Sequence, residues 1–162
     1  MTLTENHKDW IAKIMACLII FGAVLFGLSY RFEITFNTTK SLGYHIFITD
    51  KRQIPSKHGQ FVKFQMPTNK YFKSSHWTKR IVGVPGDVIT VDHRMVFING
   101  KSVGYAKPKS ASGKLYYPIE PTVIPEGYYY LQADHLDSYD SRYKSLGLIH
   151  ETTFLGRDYP VI

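Results

Sequence analysis

The most informative segment of this chain reads Trp77-Thr78-Lys79-Arg80-Ile81-Val82-Gly83-Val84-Pro85-Gly86-Asp87. Its alternation predicts a short strand with Trp77, Lys79 and Ile81 on one face, and Pro85-Gly86 predicts a tight turn after it. A lysine held among apolar side chains loses solvation of its ammonium, so its pKa falls and its amine can act as a base. The same residues also fit a basic edge strand with solvated cations, and this segment alone leaves both interpretations open.

Length and composition limit the classes of protein to consider. The 162 residues suffice for one domain with a small appendage, and the net charge is +7. Such a charge suits nucleic acid or an anionic membrane surface, but the basic residues are scattered and do not interleave with aromatic residues, so we expect no nucleic-acid partner. Cys17 is the lone cysteine, which excludes an intrachain disulfide. An aromatic content of 15%, with twelve tyrosines, favours β structure.

An apolar segment near the start predicts a membrane anchor. The chain carries no charge from Ile14 to Tyr30, which is close to the shortest helix that spans a bilayer. We therefore expect a short tail over residues 1–9, an uncleaved transmembrane anchor over 10–32 and a β-rich domain over 33–162. A cleaved signal peptide and a buried core helix are the alternatives. Basic residues flank both ends of the segment, so charge leaves its orientation open.

The rest of the chain predicts one mainly β domain of short strands. Besides the segment that starts at Trp77, strands are expected at Tyr44–Thr49, Gln60–Phe64, Asp87–Val91, Arg94–Ile98, Lys101–Val103 and Gly127–Gln132, with one or two after Ile149. Asn99-Gly100 is typical of a type I′ hairpin turn. A polar loop is expected before Ser75, and residues 105–125, with four prolines, are expected to form a long loop or insertion.

Elimination of other chemistries leaves a serine–lysine arrangement to consider. The chain has no phosphate-cradling glycine loop, no paired cysteines and no His-x-x-x-His spacing, so we expect no metal and no cofactor. A histidine base is possible on residue types, but no Gly-x-Ser-x-Gly elbow is present. A neutral lysine amine can instead take the proton of a serine that attacks an amide.

Four separated blocks resemble those of type I signal peptidases, and in particular the conjugative-transfer signal peptidases of the TraF type. The apolar segment is followed by Asn37-Thr38-Thr39-Lys40-Ser41, similar to the family's nucleophile segment. Lys79 to Asp87 is similar to its general-base segment, and Asn99-Gly100 recurs in its hairpin. Ser138-Tyr139-Asp140-Ser141-Arg142-Tyr143 with Gly147 resembles its late block. The blocks stand in the family's order over most of residues 10–150, and they imply a signal-peptidase-like antiparallel β catalytic domain behind one transmembrane helix.

The resemblance implies a role for each matching position. Ser41 would be the nucleophile and Lys79 its general base. The Thr39 hydroxyl and the Ser41 backbone N–H would form the oxyanion hole. Ser138 would orient the lysine amine through a hydrogen bond.

Asp140 and Arg142 match a structural ion pair beside the site, and the neighbouring sequence departs from the family pattern. Ala133-Asp134-His135 stands where the family tends to have Gly-Asp-Asn, and Gly43 stands where transfer peptidases usually have proline. Neither departure changes Ser41 or Lys79, but both concern the substrate-binding groove that the resemblance implies.

The resemblance implies a membrane-anchored serine endopeptidase that processes exported precursors, in particular a propilin for conjugative transfer. Its catalytic domain would lie on the periplasmic side of a bacterial inner membrane, and components of a conjugation or type IV secretion system are possible partners. The sequence does not decide between hydrolysis and cyclisation of the product. The alternative from another class is a non-catalytic, membrane-tethered β scaffold in a secretion or conjugation assembly.

Overall fold

The computed structural model of the chain describes residues 5–39, 41–66, 75–110 and 113–162. Residues 1–4 of the expected tail and Lys40 lie outside the described residues, as does most of the polar loop expected before Ser75.

The described part of the chain begins with a long helix, α1 (Glu5–Ser29). Its span from His7 to Ser29 is long and apolar enough to cross a membrane, and none of that span is buried against the rest of the protein. At 1.5 Å per residue the 23 residues of the span cover about 35 Å. The exposure of its large apolar side chains contradicts the alternative of a buried core helix.

Eleven strands follow within the described residues, and the fold is mainly β with antiparallel pairing throughout. They are β1 (Phe32–Phe36), β2 (Ile46–Asp50), β3 (Phe61–Gln65), β4 (His76–Gly83), β5 (Val88–Asp92), β6 (Met95–Ile98), β7 (Lys101–Tyr105), β8 (Thr122–Val123), β9 (Tyr128–Gln132), β10 (Ile149–His150) and β11 (Phe154–Pro160). A 3₁₀ turn (Glu151–Thr153) precedes β11.

The strands form two sheets. The larger has seven strands in the order β1-β2-β11-β3-β4-β9-β10, and the smaller has the order β7-β6-β5-β8. The large sheet curls strongly. Lys63 of β3 donates from Nζ to Glu33 (2.8 Å) and Thr35 (3.1 Å) of β1, although two strands lie between β3 and β1 in the sheet, and only a curled sheet brings these residues into contact. The curl brings the end of β1 close to the face of β4.

The alternation predicted for β4 is confirmed. Lys79 and Ile81 are buried and Trp77 is half-buried on the same face, while Arg80 on the other face stays partly exposed. The adjoining cluster on this face includes Val62, Phe64, Ile81 and Leu131. The turn after β4 also forms, since Gly86 has a φ of +88° and Asp87 N–H donates to the Val84 carbonyl at 3.1 Å.

The hairpin between β6 and β7 matches its prediction as well. Asn99 and Gly100 have φ values of +50° and +77°, the left-handed conformations that a type I′ turn requires. The Asn99 side chain also accepts from Val88 N–H at 2.8 Å and donates to Asp87 at 2.8 Å. The turn thereby joins the start of the small sheet to the end of the β4 segment.

Three features differ from the sequence-based expectation. β1 is not among the predicted strands, because the expected membrane anchor extends to Phe32, the first residue of this strand. The expected loop over 105–125 contains β8, which pairs with β5, and isolated bridges such as Pro118 with Tyr143. The second strand begins at Ile46 rather than at Tyr44.

A compact joint connects α1 to the sheet. Arg31 forms a two-pronged ion pair with the buried Asp50, with its shortest contact at 2.8 Å. Lys51 donates from its backbone to the Arg31 carbonyl at 2.9 Å and from Nζ to the Ser29 carbonyl at 2.6 Å. The last turn of the helix is therefore tied to the end of β2.

Gly83 is expected to be essential for packing where β4 meets the small sheet. A Cβ there would lie 2.6 Å from Ile124 Cδ1 and 3.0 Å from Ile98 Cδ1 and Tyr130 Cβ. Because core overpacking is costly, Gly83→Ala should lower the free energy of unfolding by about 1–3 kcal/mol in urea titrations of detergent-solubilised protein.

Gly43→Ala is the matched control for this prediction. A Cβ at Gly43 meets nothing within 4 Å, so this variant should unfold like the wild type. Equal midpoints for the two variants would contradict the packing argument.

Candidate active site

A cleft of about 540 Å³ opens where the end of β1, the face of β4 and the loop after β9 converge. Thr39, Ser41, Lys79 and Ser138 all line it. Four of the six positions singled out in the sequence are thus brought into one cavity from segments far apart in the chain. Asp140 and Arg142 lie behind its wall, fully buried.

The loop after β1 holds Ser41 in place through its backbone and its neighbour. Leu42 is 2% exposed and packs with Phe47, Phe61 and Ala133. The Ser41 carbonyl accepts from His135 N–H at 3.1 Å. The serine therefore sits between a buried leucine and the loop that carries Ser138.

The hydroxyl of Ser41 belongs to a short hydrogen-bonded series. Its Oγ lies 2.8 Å from Thr39 Oγ1, and Thr39 Oγ1 donates to Asn37 Oδ1 at 2.9 Å. Thr39 N–H donates to the same Asn37 oxygen at 3.2 Å. The threonine hydroxyl thus stands directly beside the candidate nucleophile.

Lys79 is held in a largely desolvated position. Its side chain lies on the buried face of β4, and Nζ stands 5.4 Å from the centroid of the Trp77 ring. Burial lowers the pKa of Lys79 to about 8, and the carboxylate of Asp140 opposes part of that shift while Arg142 adds to it. A substantial share of this amine is therefore neutral at slightly alkaline pH.

The ion pair of Asp140 and Arg142 rigidifies the loop that forms the far wall. Arg142 donates to both carboxylate oxygens of Asp140 at 2.8 Å, and both side chains are almost fully buried. Arg142 also donates to the carbonyls of His135 and Ser138, and Asp140 accepts from Ala133 N–H. The pair closes the loop from 133 to 142, because Asp140 accepts from the backbone N–H groups of both Ala133 and Arg142 while the Arg142 side chain binds carbonyls between them.

Within the described residues, Lys79 makes no hydrogen bond to Ser41 or to Ser138. Ser138 is buried in the cleft wall, but its hydroxyl does not form the bond to the lysine amine that the family resemblance implies. The Ser41 hydroxyl forms a hydrogen bond with the Thr39 hydroxyl instead.

The cleft also contains residues to which the sequence assigned no role. Trp77 and Tyr139 form an aromatic wall with ring centroids 6.4 Å apart. His135 and Asp137 lie on the rim, where Lys107 pairs with Asp137 and lowers its pKa. The departure at Ala133-Asp134-His135 was the one sequence signal that pointed to this rim.

The arrangement suits acyl transfer by a serine. It combines the hydroxyl of Ser41, a buried amine with a pKa of about 8 and the neighbouring hydroxyl of Thr39. Among the described residues no group of three His, Cys, Asp or Glu side chains could hold a metal ion.

Burial of Lys79 should lower the free energy of unfolding, and Lys79→Met should raise it again. Because the folded pKa of about 8 lies below the usual 10.5, protonated Lys79 opposes folding by about 3 kcal/mol at pH 7. That cost is full below about pH 8 and disappears as the pH rises past 10.5. In urea titrations the variant should exceed the wild type in stability at pH 7 and approach it at pH 10.5.

The exposed Lys101 of β7 provides the control for this experiment. Lys101→Met should leave stability unchanged at both pH values. A stability gain for Lys79→Met that did not vary with pH would contradict desolvation of the ammonium as its cause.

Comparison with known proteins assigns the chain to a family. It is 33% identical over 108 residues to signal peptidase I T of Bacillus subtilis, covering 62% of this chain and 53% of that protein. It is 25% identical over 166 residues to the conjugal transfer protein TraF of Agrobacterium fabrum, covering 91% of each chain. A solved signal peptidase I from Enterococcus faecalis aligns with a TM-score of 0.41 and 22% identity, over 64% of this chain and 96% of that one.

The chain spans about half the length of two of the Bacillus relatives, 46% of a signal peptidase I of Bacillus amyloliquefaciens and 53% of signal peptidase I T of Bacillus subtilis. The family described as "Signal peptidase, peptidase S26" matches residues 7–161, nearly the whole chain. The chain therefore belongs to the signal peptidase family, peptidase S26.

Proposed function

We propose that this protein is a membrane-anchored serine endopeptidase in which Ser41 and Lys79 form a catalytic dyad. The observation that carries the proposal is the buried, desolvated Lys79 in the same cleft as Ser41. Family membership supports the peptidase class. A lysine with a pKa of about 8 is neutral often enough near neutral pH to accept a proton from serine.

The proposed reaction proceeds through an acyl-enzyme. Neutral Lys79 takes the Ser41 proton while Oγ attacks the scissile carbonyl carbon, and the resulting oxyanion accepts hydrogen bonds from Thr39 Oγ1 and Ser41 N–H. The ammonium of Lys79 then returns its proton to the leaving amine. A water molecule, deprotonated by the same lysine, hydrolyses the ester and restores the serine.

The cleft walls support this geometry. The hydrogen bond between Ser41 and Lys79 has to form as substrate enters, because catalytic hydrogen bonds tighten in the substrate complex. Ser138 stands in the wall where its hydroxyl could orient the lysine, and the buried pair of Asp140 and Arg142 holds that wall. We assign these three to positioning rather than to chemistry.

For substrate, we propose an exported precursor, specifically a propilin of a conjugative system. Similarity to the conjugal transfer protein over 91% of both chains supports this choice among signal peptidase substrates. The apolar helix from His7 to Ser29 would anchor the enzyme in a bacterial inner membrane with the β domain on the periplasmic side. Enzyme and precursor would then meet in two dimensions at the membrane surface.

Processing of co-expressed propilins in membranes tests the dyad. Ser41→Ala and Lys79→Ala should each abolish conversion of precursor to mature pilin, because one removes the nucleophile and the other its base. Immunoblots of membrane fractions would report both the accumulation of each variant and the size of the pilin.

Two variants on β7 control for the loss of a serine hydroxyl or a lysine amine in general. Ser102 and Lys101 lie on the small sheet away from the cleft, so Ser102→Ala and Lys101→Ala should process the precursor like the wild type. Processing that survived Ser41→Ala in a folded protein would reject the dyad and favour the tethered scaffold.

The pH dependence of kcat/KM should follow the titration of Lys79. Activity is expected to rise with a midpoint near pH 8, because only the neutral amine can accept the serine proton. The Asp134 carboxylate raises the pKa of Lys79, so Asp134→Asn should lower that pKa and move the rising limb to lower pH.

Asp92→Asn, at the exposed end of β5, is the control for this shift. Asp92 does not contribute to the pKa of Lys79, so the limb should stay in place. An identical limb for the wild type and Asp134→Asn would contradict Lys79 as the titrating base.

A further inference from the structure

We infer that Asn37 is a positioning residue that acts on the reaction through Thr39. Its side-chain carbonyl fixes the Thr39 hydroxyl beside Ser41 and sets the direction of the hydrogen bond between those two hydroxyls. The inference rests on the proposed function, since it concerns the oxyanion donor and the nucleophile of that reaction.

The orientation of the Asn37 amide is determined by its partners on both sides. Its Nδ2 donates to the Tyr44 carbonyl at 2.9 Å, which directs Oδ1 toward Thr39. The Asn37 backbone N–H donates to the His45 carbonyl at 2.8 Å, so the residue also closes the base of the loop. Asn37 Oδ1 is thereby held as an acceptor at the rim of the cleft.

This orientation determines which way the hydroxyl protons point. An amide oxygen can only accept, so the bond of 2.9 Å between Asn37 and Thr39 uses the single hydroxyl proton of the threonine. In the contact of 2.8 Å between Thr39 and Ser41, the serine must then be the donor. The protons run from Ser41 to Thr39 to Asn37.

That direction differs from the one catalysis requires. In the reaction, Thr39 has to donate to the oxyanion and Ser41 has to donate to Lys79. Asn37 holds Thr39 Oγ1 in position but also holds its proton until a substrate carbonyl competes for it. The Ser41 proton is directed away from Lys79 until the same moment. Asn37 therefore holds the hydroxyls of Thr39 and Ser41 in position, with their protons directed away from the reaction, until a substrate binds.

A double-mutant cycle between Asn37 and Thr39 tests the inference under single-turnover conditions with the precursor. Asn37→Ala should lower the maximal single-turnover cleavage rate about tenfold with little change in the enzyme concentration that gives half of that rate, because the hydrogen bond that places the Thr39 hydroxyl is lost. Asn37→Asp should also lower it, since a carboxylate retains the Thr39 proton more strongly.

Both effects should shrink to less than about threefold in a Thr39→Val background, where there is no hydroxyl to place. Any direct effect of the carboxylate that Asn37→Asp introduces, or of a loosened loop, is present in both backgrounds and cancels in the coupling. Additive effects for both substitutions would overturn the role of Asn37. The Thr39→Val substitution alone should lower the cleavage rate by about 10²–10³, as expected for the loss of one oxyanion donor.

Failure of the inference can be told from failure of the proposed function. If the wild type cleaves the precursor and Ser41→Ala does not, additivity in the cycle rejects Asn37 alone. If Ser41→Ala cleaves as well as the wild type, the proposed function is rejected and the inference with it.

Discussion

Desolvation of one lysine ammonium is the constraint on which the cleft depends. Two lysines of the large sheet, Lys63 and Lys79, are each only 4% exposed, yet their surroundings differ. Lys63 is neutralised by Glu33 and also bonds to Thr35, so its charge joins β3 to β1 across the curled sheet. Lys79 has the Trp77 ring and apolar neighbours instead of a carboxylate in contact. A paired buried lysine serves the fold, whereas an unpaired one retains its amine for chemistry.

A series of hydrogen-bonded polar side chains, which we call the polar seam, lies inside the curled sheet and includes Thr35, to which Lys63 donates. Thr35 lies 2.7 Å from Thr49, which donates to the buried Asp158 at 2.6 Å, and Thr78 donates to the other oxygen of Asp158 at 2.6 Å. Burial raises the pKa of Asp158 in spite of those two donors. The seam thus connects β1, β2, β11 and β4 through hydrogen bonds, and it holds β1 and β4, the two strands that border the cleft, at a fixed separation.

Sequence reasoning predicted the features that follow from local rules. Alternation in β4 placed Lys79 on one face with Trp77, while the burial of that face stayed one of two interpretations, and Asn99-Gly100 specified the turn between β6 and β7. The position of Ser41 could not be obtained in this way, because it depends on the burial of Leu42 and on a bond from His135, ninety-four positions later in the numbering. Asn37 was quoted only as part of a motif, since the direction of a hydrogen bond is visible only when both partners are placed.

The chain path from the helix to Ser41 limits how far from the membrane the cleft can lie. Ser41 follows Ser29 by twelve positions, so even a fully extended chain could place it no more than about 40 Å from the helix end. β1 accounts for much of that length. The ion pair of Arg31 with Asp50 and the hydrogen bond from Lys51 to the Ser29 carbonyl hold the end of the helix against the sheet. Under the proposed function, a precursor held in the bilayer by its own apolar segment would have to extend no farther than this bound to reach Ser41.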